Sequence, residues 1–264
     1  MLQRLWAKTL YERRRGLLWW AVGIAVTTVS FVAMYQAVLD VPDVDQLLES
    51  YPEAFRKVFE MTDITSPAGF LHTYFLSLMA PVLFLVHAIG FGGSTTTEEE
   101  RDKTIDLLAT LPISRARIVA EKALAMVVAM LVLGLVMFAS LWIGAAMVGM
   151  EIGAWQLAAA STAVVLLGLC FGAAALLVGT FTGRRGTSVG IAGALAAAAF
   201  ALNMLAPLSD ALDRVRELSP AYHAIGVEPL RDGLGVEHVA VLIAVTAMLL
   251  AAAAWVFSRR ELTR

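Results

Sequence analysis

The chain has 264 residues, 59% of them apolar and only 16% charged, and a mean hydropathy of +0.75. A soluble domain carries about 25% charged residues, so the composition excludes one, and a formal charge of −2 with no basic domain gives no reason to expect nucleic acid. The single cysteine, Cys170, excludes an internal disulfide framework and a multi-cysteine metal site.

At the start of the chain Leu2, Leu5, Trp6, Thr9 and Leu10 share one helical face, while Arg4, Lys8, Glu12 and Arg15 take the rest. The pattern predicts an amphipathic helix lying in the membrane interface before the chain turns into a first span. No short apolar core with a small-residue cleavage site follows Arg15, so a cleaved signal is not expected.

Six blocks free of Asp, Glu, Lys and Arg follow, at 16–39, 70–93, 123–150, 152–183, 186–209 and 239–258. Each is near or above the roughly 20 residues a helix needs to cross a bilayer. They are apolar all round rather than alternating, so they read as helices, which satisfy their own backbone groups in lipid. The expected fold is an all-α membrane protein: one transmembrane domain over 1–264, with spans at about 17–39, 70–93, 123–149, 155–182, 187–208 and 239–257. Of the 20 Lys and Arg, 15 fall beside the termini and the second and fourth loops. The positive-inside rule therefore puts both termini in the cytoplasm. Trp19, Trp20 and Trp255 then lie near the inner interface, and Trp142 and Trp155 near the outer one.

With no ionisable acid or strong base in the spans, ion-coupled carriers, proton relays and voltage sensors lose their usual machinery. His72 and His87 are too far apart on one helix for an i, i+4 metal pair, so no metal is expected. Pro81 should kink the second span or free a carbonyl. In the fourth and fifth spans Gly168, Gly172 and Gly179, then Gly186 and Gly190, carry small-xxx-small spacings that bring helices together, within the chain or at a subunit interface. Asn203 offers a hydrogen bond between helices.

The loop at 92–122 reads GGSTTTEEERDKTIDLLATLPISRARIVAEK. Thr95, Thr96 and Thr97 each precede an acid, Glu98, Glu99 or Glu100, by three residues, which is capping-box spacing. Ile105, Leu108 and Leu111, with Thr104 and Leu107 beside them, make an apolar face on a helix over 97–111 that Pro112 ends. Anionic lipid would repel the acidic start, which favours docking to a protein groove.

These residues resemble the type-2 ABC transporter permeases. The acids Glu98 to Glu100, the T-x-x-L-L run from Thr104 through Asp106 and Leu107 to Leu108, the P-I-S-R string from Pro112 to Arg115, and Lys122 match the family's second loop. The basic N-terminal helix, the six spans, L-S-P-x-Y at 218–222 and E-P-L-x-x-G at 228–233 extend the likeness over the whole chain. Lys103 and Glu121 depart from it, standing where glycine is frequent. The resemblance implies an ABC exporter membrane subunit in the cell inner (plasma) membrane, not an enzyme and supplying no ATP chemistry itself. Its 97–111 coupling helix would dock on a separate ABC ATP-binding subunit that holds ATP and Mg, beside a second permease copy or paralogue. The absence of a G-x-x-x-x-G-K-[ST] phosphate loop agrees with that division of labour. The cargo expected is an amphipathic or hydrophobic compound such as a drug, antibiotic or lipid. The alternative is a non-transporting membrane scaffold that recruits a cytoplasmic complex through the same loop.

The two long outer loops are acidic. Seven acids face Arg56 and Lys57 in 40–67, and six acids face three bases in 209–238. They read either as solvated lids or as an extracellular gate. The resemblance favours the gate, with Pro220, Tyr222, Glu228 and Pro229 in it.

Overall fold

The computed structural model describes residues 5–39, 65–94 and 115–259. Among them there is no strand, and six helices are long and apolar enough to cross a membrane. These are α1 (Leu5–Leu39), α2 (Pro67–Ser94), α3 (Arg115–Val148), α4 (Ala154–Thr182), α5 (Arg185–Leu205) and α6 (Val236–Arg259). The all-α, six-span architecture is the one the apolar blocks predict.

The first helix differs from expectation. No turn separates an interfacial helix from the first span; Leu5–Leu39 runs unbroken for 35 residues. At 1.5 Å per residue it is about 52 Å long, against a hydrocarbon core of about 30 Å. The helix is therefore longer than the hydrocarbon core, and its basic opening turns continue the same helix as the apolar span. Apart from Gly16 the residues around Arg15 are helix formers, so nothing local breaks the hydrogen-bond ladder.

The second span starts on a built cap. Ser66 Oγ accepts the Gly69 N–H at 3.1 Å, and Pro67 takes the first helical position, where a missing N–H costs nothing. A π-helical turn occupies His72–Leu76, with Ser77 N–H donating to the His72 carbonyl at 2.8 Å. Regular helix resumes at Met79–Ser94. Pro81 falls in its first turn, where backbone N–H groups need no helical partner, so the irregularity precedes the proline.

α4 is the centre of the bundle, packed against α2, α3, α5 and α6, while α1 leans mainly on α3. Glycine lets α2 approach. A Cβ on Gly92 would run into the Gly172 carbonyl oxygen, and one on Gly172 would lie 2.8 Å from Met126 Sδ and 3.1 Å from the Ala88 oxygen. Lipid supplies no hydrophobic gradient between helices, so this close packing holds the pair. Phe70, Phe75, Phe84, Met130, Leu133 and Met137 fill the core beside it.

Helix direction alternates, and the chain's charge follows it. Ser94, the start of α3, and the turn between α4 and α5 share one end with the start of α1 and the end of α6. Arg13, Arg117, Arg184, Arg185 and Arg259 cluster there, and we call it the basic end. Gly183, with φ 66, closes α4 in the left-handed conformation and donates its N–H to the Gly179 carbonyl at 2.9 Å. At the opposite end Tyr35 Oη donates to the Thr65 carbonyl at 3.0 Å. The short helix Asp210–Arg216 and the π-helical turn Tyr222–Gly226 also lie on that side, before α6.

Candidate functional site

α1 rests on α3 and α5 rests on α4, which leaves a space between α1 and α5 with α2 as its floor. This groove has a volume of about 1390 Å³, above the 300–1,000 Å³ common for small-molecule pockets. Its breadth comes from missing side chains: Gly16, Gly90, Gly186 and Gly193 line it, and a Cβ on any of them would meet no atom within 4 Å. Leu17, Val82, Val189, Ala197 and Phe200 make the wall apolar.

Polarity is confined to two places. At the basic end Glu12, Arg13 and Arg185 border the groove. Arg13 donates to Ser94 Oγ at 2.7 Å and lies over the Phe91 ring, 4.5 Å from its centroid. Further along, His87 meets Trp20 edge to face at 5.4 Å, and its buried Nε2 has no hydrogen-bond partner among the described residues. A buried polar atom without a partner costs stability; the His87 ring lines the groove while its Nε2 lies buried behind the surface. The groove therefore suits a molecule with a large apolar body and a small polar portion.

The residues singled out from the sequence fall into separate regions. Glu98, Glu99, Glu100, Thr104, Asp106, Leu107, Leu108 and Pro112 lie outside the described residues. Arg115 opens α3, and Lys122 is buried two turns later. Gly168, Gly172 and Gly179 are buried within α4. For Gly168 the neighbours are Met130, Phe84 and Ala88 of this same chain. Gly186 and Gly190 are different, on the open side of α5 with nothing within 4 Å of a Cβ. At the far end Tyr222 sits under the Arg216 guanidinium, 5.0 Å from its ring. Pro220 is half-buried and Pro229 buried, while Glu228, at φ 45, pairs with Arg231 at 3.1 Å.

Other residues enter only through the structure. Glu121, which stood out in the sequence as a departure from the family pattern, accepts hydrogen bonds from the first backbone N–H groups of α1. His223 and His238, fifteen positions apart, meet at 2.8 Å. The sequence signal was that two of four histidines lie in one acidic segment.

A family model described as ABC-2 family transporter protein matches residues 4–262, nearly the whole chain. The chain belongs to the ABC-2 transporter family. It is thus a multi-pass membrane protein of a transport family whose members generally work with an ATP-binding subunit. No curated protein matches it. For an ABC-2 membrane subunit the groove, rather than any catalytic cluster, is the feature to explain.

Proposed function

We propose that this chain is the permease subunit of an ATP-driven exporter for amphipathic or hydrophobic compounds, and that the groove between α1, α2 and α5 is its substrate path. The observation that carries the reading is the groove itself. A scaffold that only recruits partners has no need of an apolar space of about 1390 Å³ walled by glycine and alanine. Both termini and the basic end face the cytoplasm of a cell whose plasma membrane the six helices cross. A compound from the inner leaflet enters with its apolar body against Val82, Val189 and Phe200, and its polar portion near Arg13 and Arg185. A second copy or a paralogue faces the groove and completes the path.

Energy comes from a separate subunit that binds ATP and Mg and docks on the segment between α2 and α3. Arg13 and Glu121 support this reading. They tie α1, one wall of the groove, to Ser94 just before that segment and to the start of α3 just after it. Movement of the segment would therefore move α1. Export as the direction, and Pro220, Tyr222, Glu228 and Pro229 as an outer gate, follow the family resemblance.

The test is co-expression and purification with a candidate ABC ATP-binding subunit, followed by reconstitution in vesicles. A stoichiometric complex whose ATPase responds to amphipathic compounds, and which moves them across the vesicle membrane, supports the proposal. A lone membrane protein that retains no ATPase points instead to a scaffold.

A further inference from the structure

The groove carries its charge at one end only. Among the described residues that line it, Glu12, Arg13 and Arg185 bear charge, and all three border the basic end. Glu12 is answered by Lys8, 3.6 Å away and one turn earlier on α1, so the two guanidiniums set the sign of the mouth. Arg13 is held from two sides, by Ser94 Oγ at 2.7 Å and by the Phe91 ring. A cation fixed in this way loses little further freedom when an anion arrives. Arg185 opens α5 and is exposed. A planar guanidinium matches a phosphate or carboxylate with paired N–H donors.

Beyond the mouth the lining is apolar over a long distance. The α5 stripe continues from Arg185 through Val189, Gly193, Ala197 and Phe200 to Met204. At 1.5 Å per residue that is about 28 Å, close to the roughly 30 Å depth of the hydrocarbon core. No charged side chain interrupts it, and the one further titratable group, His87, keeps its Nε2 behind the surface. A second charge, or hydroxyls spread along a ligand, would lie against carbon with nothing to bond them, which is costly. A protonated or quaternary amine would meet like charge at the mouth.

Building on the reading of this groove as the substrate path, we propose that its occupant is an amphiphile with one anionic head and a long apolar tail. It is drawn from the leaflet at the basic end, with the head at Arg13 and Arg185 and the tail laid along α5 towards Met204. The charge pattern names the head, and the length of the uncharged stripe names the tail.

Photolabelling of the full chain in phosphatidylcholine nanodiscs tests this without ATP or a partner subunit. The probes are hexadecyl phosphate and hexadecyltrimethylammonium, each with a diazirine in its tail, compared at equal amounts of membrane-bound probe. Peptides of α2 and α5 that line the groove are scored against Ile243 and Met248 of α6, which are exposed on the outside of the bundle. The phosphate should label the groove over that reference at least about tenfold more strongly than the ammonium, a difference of about 1.4 kcal/mol. Unlabelled hexadecyl phosphate should displace it, and millimolar inorganic phosphate should not. Arg185→Glu should erase the preference while α5 stays folded, since an acid in the first turn suits the helix dipole. Arg185→Lys should keep most of it. Equal groove labelling by the two probes overturns the anionic head and leaves the groove as a path, whereas a preference that survives Arg185→Glu overturns the placement of the head. Displacement by inorganic phosphate overturns the amphiphile in favour of a free anion. Groove labelling no stronger than the reference with either probe, the result expected where a second copy fills the space, overturns this inference together with the groove's assignment.

Discussion

The carboxylate of Glu121 lies 2.6 Å from the backbone nitrogen of Leu5 and 3.3 Å from that of Trp6. A side chain of α3 thus caps the N-terminus of α1, which begins 116 positions earlier. The first N–H groups of a helix have no partner of their own, and the helix dipole concentrates positive charge there. A carboxylate answers both needs. Arg13 makes the second tie, to Ser94 at the end of α2.

Replacing Glu121 with Ala should destabilise the protein by about 1 kcal/mol, the usual loss for an N-cap. Glu121→Gln, which keeps an acceptor but not the charge, should lose less. Arg117 also touches this carboxylate, with its Nε 3.2 Å from Oε1, but it is largely exposed. Exposed i, i+4 pairs are worth about 0.3–0.5 kcal/mol, so Arg117→Ala should change little. Thermal unfolding in nanodiscs separates the three variants, and a loss in Arg117→Ala equal to that in Glu121→Ala would contradict the capping role.

Arg13 should affect coupling more than stability. Its guanidinium uses direction, donating to Ser94 while lying over the Phe91 ring, and lysine cannot reproduce both contacts. Arg13→Lys and Arg13→Ala should both insert and bind the ATP-binding subunit, yet lose most of the ATPase response to transported compounds. An unchanged response in Arg13→Ala would show that the α1–α2 tie carries no motion.

How far the sequence revealed this arrangement depends on the range of the interaction. Six apolar blocks set the six helices because burial in lipid is a property of each block alone. The turn expected between the amphipathic N-terminal residues and the first span is absent from the helix, since amphipathic residues before a span look the same whether or not the chain turns. Gly168 and Gly186 had the same sequence signature but differ in surroundings, one against Met130 and the other facing an open groove. No local pattern separates them. Glu121 looked like an anomaly because its partners are N–H groups more than a hundred positions away.

The glycines give a sharp test of packing. Gly92→Ala would force a Cβ against the Gly172 carbonyl, and backbone cannot swing aside as a flexible side chain can. Overpacking of this kind costs about 1–3 kcal/mol, and the α2–α4 contact should separate. Gly134→Ala meets the Val165 side chain rather than backbone; valine is stiff at χ1 in a helix, so this variant should also lose stability, but less. Unfolding midpoints should order the variants Gly92→Ala, Gly134→Ala, wild type from least to most stable.

Gly193 tests the groove without touching the packing. It lines the space, and a Cβ there meets nothing within 4 Å. Alanine in place of a helical glycine is tolerated and in soluble helices gains about 0.5–1 kcal/mol, so Gly193→Ala should fold and transport as wild type. Gly193→Trp should also fold, because its indole enters empty volume rather than a neighbour. That indole would occupy the region between α1 and α5 and should cut transport at least about tenfold, a barrier increase of about 1.4 kcal/mol. Basal ATPase and subunit assembly should persist. If Gly193→Trp transports normally while Gly92→Ala unfolds, the substrate moves along another surface and the groove has lost its assignment.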